Sequence, residues 1–290
     1  MSTPRQKNRL AKVLISLGWY AADCLRQLVL RIFGRTPSAT CVVFYYHSVP
    51  EAQRNAFARQ MDALARLTIP VSIDRIPQLL PGKRYCCITF DDGFEDTIDN
   101  ALPELQKRGI PATVFVTAGF LGRAAEWWPL STSERQRRIA PAERWRQLPA
   151  GLFSVGSHTV THPSLAGLSE AKARRELCDS RAMLQEAMGR EISTFSFPYG
   201  EFNDKLVAWC REAGYQRVFT TLPRNAFQDV DEYVTGRVPV EPADWNLEFR
   251  LKLLGAYRWL PLAFSWKRRL LPLRISRLVC GQRREPSECP

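Results

Sequence analysis

Histidine is scarce in this 290-residue sequence, which contains only three: His47, His158 and His162. Imidazole chemistry therefore has few possible sources, and none after position 162. Each of the three lies at or shortly after the end of a run that predicts a β-strand. A lone histidine is more often a structural residue than a ligand. Three out of three at strand ends favour a functional role.

Paired cysteine motifs are also lacking, because the eight cysteines form no CxxC pair. Several lie in strand-like apolar runs, which indicates free thiols in a reducing compartment rather than a disulfide framework. The sequence has no internal repeat and no low-complexity tract. Asp23, Arg26 and Arg31 interrupt the N-terminal apolar stretch, so we expect neither a secretory signal nor a membrane-spanning run of about 20 apolar residues.

Acidic residues are few at the two ends of the chain. The formal net charge is +12, of which residues 1–36 contribute +6 and residues 250–290 contribute +8, so the centre is close to neutral. Basic ends favour an anionic membrane surface or nucleic acid. No nucleic-acid-binding motif accompanies the charge, so we expect no nucleic acid partner.

Both ends mix large apolar residues with Lys and Arg, at residues 9–33 and 246–279. This pattern is typical of helices that lie in a membrane interface. We therefore predict a cytoplasmic protein, peripheral on the cytoplasmic face of the inner membrane and docked on its anionic surface. The alternative is that the two ends pack on each other or on the body of the protein, with the arginines solvated.

Between the ends, strand-like and helical patterns alternate with short links, which predicts βαβ units and a parallel sheet. We count about seven strands, and the polar motifs follow strands, which favours a closed barrel with its active site at the carboxyl ends of the strands. The predicted α/β organisation is an amphipathic helical extension at 1–36, a (β/α) barrel at 37–245 and a second extension at 246–290.

Two adjacent carboxylates, Asp91 and Asp92, follow the strand-like run at 85–90. One acid could bind a metal while the other accepts a proton, but Asp-Asp-Gly is also an ordinary turn sequence. His158 and His162 are four residues apart, and two imidazoles with one carboxylate form a familiar Zn²⁺ site with a position left for water. The two segments together are far more specific than either alone.

Three segments resemble the first three motifs of the polysaccharide deacetylase family, carbohydrate esterase family 4. They are TFDDG at 89–93, SHTVTHP at 157–163 and FPYG at 197–200, in the family's order. YHSV at 46–49 also resembles the YHxV opening of many bacterial members. The resemblance covers roughly residues 41–240 and implies a distorted (β/α) barrel, often with seven strands.

The resemblance also implies roles for individual residues. Asp92, His158 and His162 would hold a divalent metal, Zn²⁺ or a replacement such as Co²⁺ or Ni²⁺. Asp91 would be the general base, and the backbone N–H of Tyr199 would help to stabilise the oxyanion.

Two features depart from the family pattern. Ser196 stands where members often carry an arginine that orients the base; Arg237 could supply that charge, and a surface arginine is an equal alternative. The usual late histidine that acts as general acid is absent, and His47 fits the pattern of members whose acid comes from the YHxV segment. Trp127 and Trp128 suit either stacking on a sugar ring or packing beneath an insertion.

The sequence thus predicts a metal-dependent deacetylase that removes the N-acetyl group of an amino sugar, in a polysaccharide or a lipid-linked glycan. One alternative is the same fold hydrolysing a small amide or a formamide. Another is a degenerate member that binds glycan or lipid without catalysis, although the presence of all the site residues argues against it.

Overall fold

Short apolar runs form nine parallel strands in this computed structural model, which describes residues 4–127, 137–229 and 231–263. The strands are β1 (Thr40–Tyr46), β2 (Ile69–Pro70), β3 (Arg84–Phe90), β4 (Ala112–Val116), β5 (Phe153–Ser157), β6 (Thr194–Ser196), β7 (Arg217–Thr220), β8 (Val234–Gly236) and β9 (Val238–Pro239).

The helices lie between and beyond these strands. They are α1 (Pro4–Ile32), α2 (Arg54–Leu67), α3 (Leu102–Gln106), α4 (Ala142–Arg146), α5 (Glu170–Met188), α6 (Asp204–Glu212) and α7 (Asn246–Leu253).

The sheet closes almost completely on itself. Its strand order is β8-β7-β6-β5-β4-β3-β1-β9, with β2 paired to β3 off this path. β8 pairs with β7 and β9 pairs with β1, although the two are separated only by Arg237. One continuous segment therefore joins the two edges of the sheet. The predicted barrel is confirmed, with eight strands on its circuit where about seven were expected.

Alternate residues of each strand face two different cores, as the pleat of a strand requires. Cys41, Val43 and Cys87 belong to a cluster that includes Phe115 and Phe219 from distant strands, so this cluster fills the barrel interior. Their neighbours, such as Cys86, belong to the larger cluster beneath the helices. Strands buried on both faces explain the nearly continuous apolar runs of the sequence.

Two predicted strands differ in detail. The run at 233–240 forms two short strands because Arg237 turns into the barrel between them, and a Cβ on the preceding Gly236 would stand 2.1 Å from the carbonyl oxygen of Leu222. The strand expected at 71–73 lies instead at Ile69–Pro70. The larger features of the barrel do not depend on either segment.

Helix α1 contradicts the expectation that no segment has the length and apolar character of a membrane span. By length and composition, Asn8–Ile32 is long and apolar enough to cross a membrane. The expectation was wrong because the charged residues of this helix, Asp23 and Arg26 among them, are too few to make it polar on average. These two lie one turn apart on it, and Arg26 Nη2 is 3.0 Å from Asp23 Oδ1.

The C-terminal end packs on the barrel over the part that is described. Phe249 and Leu253 of α7 belong to the main core, and the Phe249 ring meets the edge of Phe44 with centroids 5.5 Å apart. Helix α1 in turn packs on α7 through Val13, which lies in a small apolar cluster with Tyr257. The rest of the predicted C-terminal segment, from residue 264 onward, lies outside the described residues.

Candidate active site

A cavity of about 510 Å³ lies at the carboxyl ends of the barrel strands. The chain segments that follow β1, β3, β5 and β6 all contribute to its wall, as the barrel prediction requires. The side chains that line it are Tyr45, His47, Asp91, Asp92, Trp127, His158, His162, Phe197, Tyr199 and Thr221.

Asp92, His158 and His162 converge in this cavity. Asp92 Oδ1 lies 3.6 Å from His158 Nε2 and 3.3 Å from His162 Nε2, and one ligand atom from each residue falls within 4.8 Å of the others. All three side chains are buried. Burial would raise the pKa of Asp92, but the adjacent His162 imidazole outweighs burial and holds that pKa below its usual range.

The donor set fits a divalent cation. Among the described residues, neither carboxylate oxygen of Asp92 receives a hydrogen bond of good geometry, although both are buried. A buried carboxylate without donors is costly unless a cation or another partner compensates it. One carboxylate and two imidazoles also leave a coordination position for water, as catalytic zinc sites do.

The backbone at this site adopts conformations that most residues avoid. Asp92 has φ 70° and His162 has φ 60°, in the left-handed region where a side chain costs about 1 kcal/mol or more. The carbonyl of Asp92 accepts a hydrogen bond from the N–H of Thr117 at 3.2 Å, which ties the turn to β4. Gly93 has φ 89°, and a Cβ there would approach Val116 to 3.0 Å, so the glycine of the motif is sterically required.

Glu176 of α5 holds the loop between the two histidines. Its Oε2 accepts hydrogen bonds from the N–H groups of Val160 at 2.7 Å and Thr161 at 3.0 Å, and its Oε1 accepts one from the Thr161 hydroxyl at 2.6 Å. Sequence reasoning missed Glu176, because nothing in its spacing distinguishes it from the other charged residues of α5.

The tautomer of His158 follows from its backbone contact. Nδ1 lies 2.8 Å from the carbonyl oxygen of Ser196, which can only accept, so Nδ1 carries the proton. Nε2 is then a lone-pair donor that faces Asp92. Burial lowers the pKa of His158 to about 4, which keeps this imidazole neutral near pH 7. A neutral imidazole with its outer N–H fixed by a carbonyl is the usual form of a metal ligand.

Asp91 is paired with Arg237 inside the barrel. Arg237 Nη1 and Nη2 lie 2.7 and 2.8 Å from the two carboxylate oxygens, and Arg237 has no solvent exposure. The expectation of a surface arginine as an equal alternative is therefore wrong. Arg237 also donates to Ser196 Oγ at 2.7 Å and to Thr89 Oγ1 at 3.1 Å. Ser196, which stands where the family often has arginine, thus supports the arginine that comes from the segment between β8 and β9.

The pKa of Asp91 reflects two opposing effects. Complete burial alone would raise it, but the Arg237 guanidinium and the nearby imidazoles outweigh burial and lower it to about 2. Asp91 is consequently ionised near pH 7 and is directed toward the cavity.

His47 and Tyr199 lie on the more open side of the cavity. His47 is exposed, and its ring meets the edge of Tyr45 with centroids 5.6 Å apart. Tyr199 has φ 60° and ψ 0° in the turn after β6, and its ring contacts the edge of His162 at 5.0 Å. The structure thus brings all seven predicted site residues to one cavity or, for Arg237, directly behind it.

Trp127 stacks on His162, with ring centroids 4.7 Å apart and planes 14° apart. It also meets the edge of Phe120 at 4.9 Å, so it serves both as packing for the loop and as a wall of the cavity. Its Nε1 is buried and has no acceptor among the described residues. Trp128 lies outside the described residues.

Comparison with known proteins agrees with this geometry. Residues 80–218 match the profile of the family described as polysaccharide deacetylase. The chain carries a polysaccharide deacetylase domain. Asp91, Asp92 and both buried histidines lie inside the matched range of the deacetylase domain, whereas His47 and Arg237 lie outside it and reach the same cavity through the barrel.

Relatives of the deacetylase domain support the resemblance read from the motifs. YxkH of Bacillus subtilis (strain 168), whose name places it among polysaccharide deacetylases, is 28% identical over 162 residues, which cover 56% of this chain and 53% of that protein. The poly-beta-1,6-N-acetyl-D-glucosamine N-deacetylase of Staphylococcus aureus (strain MSSA476) is 26% identical over 164 residues, or 54% of each chain. The chain spans about half the length of these curated relatives.

Solved structures agree on the fold of the deacetylase domain. IcaB from Ammonifex degensii superposes with a TM-score of 0.61 and 26% identity, over 75% of this chain and 98% of that one. The deacetylase domain of BpsB from Bordetella bronchiseptica gives a TM-score of 0.56 at 20% identity, over 69% and 96% of the two chains, which shows the shared fold alone.

Proposed function

We propose that this protein is a metal-dependent hydrolase that removes the N-acetyl group of an amino sugar in a polysaccharide or a lipid-linked glycan. The observation that carries the proposal is the convergence of Asp92, His158 and His162 beside the ionised Asp91 in one cavity. The relative from Staphylococcus aureus is named for deacetylation of a polymer of N-acetyl-D-glucosamine, which supports an N-acetylated glycan as the substrate class.

Asp92, His158 and His162 would hold the metal, which we propose to be Zn²⁺, with Co²⁺ or Ni²⁺ as replacements. When bound, such a cation supplies a more acidic water and polarises the acyl carbonyl. The supporting observations are the bare carboxylate oxygens of Asp92 and the neutral, tautomerically fixed imidazole of His158.

Asp91 would act as the general base. Arg237 donates a hydrogen bond to each of its two oxygens. The carboxylate is therefore ionised, and its orientation is fixed before substrate arrives. It would take the proton of the attacking water as the new C–O bond forms. A positioned base of this kind contributes typically 10²–10⁴-fold to rate.

His47 would complete the reaction as the general acid. Protonated imidazole is suited to donate to the leaving amine nitrogen near neutral pH as the C–N bond breaks. The exposed position of His47 at the cavity rim suits a group that must meet the sugar nitrogen. The backbone N–H of Tyr199 would donate to the oxyanion, and its loop lies against His162.

The location would be the anionic surface of the inner membrane, on its cytoplasmic face. The concentration of positive charge at residues 1–36 and 250–290 supports this location, because each basic residue beside an anionic leaflet is worth about 1 kcal/mol. A lipid-linked sugar would then be found by search in two dimensions.

The test is acetate release from a panel of free and lipid-linked N-acetyl sugars by the metal-loaded protein. We expect about one Zn²⁺ per chain, loss of activity with chelator and recovery with Zn²⁺. Asp91→Asn should abolish turnover and leave metal content nearly intact, whereas His158→Ala with His162→Ala should remove the metal.

The same variants and substrates distinguish the alternatives, with metal content, product release and glycan binding as the measurements. Unchanged metal content in the double histidine variant would overturn the metal assignment. Release from a small amide or a formamide, with no release from any sugar, would assign the barrel to that substrate class. Glycan binding without any turnover would indicate a non-catalytic member.

A further inference from the structure

Helix α1 leaves a long apolar strip exposed to solvent, whereas an ordinary surface helix turns its apolar residues to the protein. Its inward side carries polar residues as well as the apolar residues of the small cluster described above. The inward side carries Ser16 and Asp23, which are buried. Asp23 accepts a hydrogen bond from Arg258 at 2.6 Å, and Ser16 accepts one from Trp259 Nε1 at 2.9 Å. Near the start of the helix, Arg9 donates to Glu248. Polar contacts thus fix α1 to the segment that includes α7.

The outward side forms an apolar strip, which we define as Leu10, Leu14, Leu25, Leu28 and Ile32. Each of these side chains is at least half exposed. The strip spans about 33 Å at 1.5 Å per residue. With Ile15, Val29 and Phe33 beside it, residues 10–33 supply eight of the seventeen exposed large apolar side chains among the described residues.

We propose that this apolar strip lies flat in the interface of an anionic bilayer, with α1 parallel to the membrane plane. The occupant follows from charge as well as apolar area. Lys12, Arg26 and Arg31 are exposed along the same helix, and residues 1–36 carry a net +6. An exposed apolar strip on a helix that also carries exposed cations suits an interface that offers both acyl chains and anionic headgroups.

Two other occupants fit less well. A spanning α1 would have to place Asp23 and Arg26 in hydrocarbon and break the contacts of Asp23 with Arg258, which is expensive. A second copy could cover the strip, but it would bring two helices of like charge together.

The orientation of α1 sets the orientation of the barrel. Arg9, near its start, contacts the carbonyl oxygen of Ala243, in the segment that follows the carboxyl end of β9. Gln27, near its end, accepts a hydrogen bond from Arg84, the first residue of β3, at 3.5 Å. Helix α1 therefore runs down the barrel wall from the catalytic end to the opposite end.

If α1 lies in the membrane plane, the barrel axis runs roughly parallel to the membrane. The catalytic cavity then opens along the membrane surface. Trp245 and Leu247, both more than 40% exposed, extend the apolar surface at the catalytic end, where Arg9 lies over the Trp245 ring. This arrangement, which rests on the membrane location proposed above, gives a sugar carried by a lipid direct access to the cavity.

The test is co-sedimentation of the full chain with phosphatidylcholine vesicles, with and without phosphatidylglycerol. The strip variant is Leu14→Glu/Leu25→Glu/Leu28→Glu, and the control is Met183→Glu, an apolar residue on α5 that is 40% exposed. Loss of three inserted leucines should weaken partition about 100-fold or more, while the control binds as the parent does. Equal binding by the strip variant would overturn the proposal.

Orientation is tested with two exposed cysteines already present, Cys24 on α1 and Cys178 on α5. Anionic vesicles should protect Cys24 from maleimide and leave Cys178 reactive, as read by peptide mass spectrometry; equal reactivity of both would refute the flat orientation. Resistance to carbonate extraction would instead indicate a spanning helix, and a dimer that the strip variant converts to monomer would assign the strip to a second copy.

Deacetylation is scored separately from membrane binding. The strip variant should retain acetate release from a soluble substrate, since no strip residue lines the cavity. Full activity with no vesicle binding by the parent would overturn the membrane location alone.

Discussion

Arg237 holds both carboxylate oxygens of Asp91, although the two residues are 146 positions apart in the sequence. Two parallel N–H···O bonds fix the plane of the carboxylate as well as its charge. The arginine is in turn fixed by Ser196 and Thr89, and the Tyr45 ring lies 4.7 Å from its guanidinium carbon. As the proposed base, Asp91 would therefore need little reorganisation when a substrate enters.

Arg237→Met should shift the acidic limb of the pH-rate profile to higher pH. Without the guanidinium, burial dominates and raises the pKa of Asp91, so a larger fraction of the proposed base is protonated at a given pH. The variant should also lose about 3–5 kcal/mol of stability, because a buried carboxylate is left unpaired.

Two further variants distinguish the explanations for Arg237. Arg237→Lys keeps the positive charge but loses the two parallel hydrogen bonds of the guanidinium. Its acidic limb and its stability should lie between those of the parent and those of Arg237→Met. Asp91→Asn added to Arg237→Met should restore much of the stability and none of the activity. An acidic limb that does not move would show that Arg237 has no effect on the ionisation of the base.

His47→Ala should reduce kcat by about 10²–10⁴-fold, the usual contribution of a general acid. Because His47 is exposed and is no member of the Asp92 cluster, metal content and thermal stability should stay close to those of the parent. The two proteins should also be compared on a substrate whose leaving group needs no proton. On that substrate the kcat of His47→Ala should approach that of the parent. Nearly full activity on an ordinary N-acetyl sugar would assign proton donation to another group.

Glu176→Ala should weaken metal binding by about 10–100-fold, as loss of a group that orients metal ligands commonly does. The change removes three hydrogen bonds to the loop that carries His162, and leaves every ligand in place. Competition with a chromogenic chelator gives the affinity. Glu170→Ala is the control, since Glu170 is exposed on the same helix and forms an ion pair with Arg174. Equal losses in both variants would count against a role for the loop.

Asp96 should make stability depend on pH near neutrality. Burial raises the pKa of Asp96 from 3.8 to about 6, so folding favours its protonated form. Its stabilising contribution is fully present below the unfolded pKa and is lost as pH rises through about 6. Relative to Asp96→Asn, the parent should lose at most about 3 kcal/mol between pH 4 and pH 7, at about 1.4 kcal/mol per pKa unit. Urea unfolding across that range measures it, and parallel curves for the two proteins would contradict the assignment.

The sequence predicted the part of the site that depends on short segments. Asp91 and Asp92 are adjacent, and His158 and His162 share one tight loop, so strand ends and local spacing were enough to group them. The barrel was predicted from strand-like and helical segments that alternate along the chain, which is also a local pattern. These features survive because parallel strands bring their carboxyl ends to one side of the sheet whatever the details of packing.

Other features depended on contacts that no local pattern contains. An interior arginine and a surface arginine look alike in sequence, so Arg237 could be placed only by its distant partner Asp91. The stacking of Trp127 on His162 joins an insertion to a strand end, which spacing cannot reveal. For α1, the sequence indicated an amphipathic helix, but the contact of Asp23 with Arg258 was needed to show that this carboxylate points inward and that a strip of leucines stays exposed.

The joint between β8 and β9 has a consequence for how the barrel closes. Among the described residues these are the last two strands in the chain, and they join β7 to β1, in which Phe44 pairs with Val238 almost two hundred positions later. A nascent chain that ends before this joint has two open sheet edges and an Asp91 without its arginine. Contacts so distant in sequence form late. The segment that closes the sheet also supplies the arginine that fixes the proposed base, so a translation product truncated before it should have no hydrolytic activity.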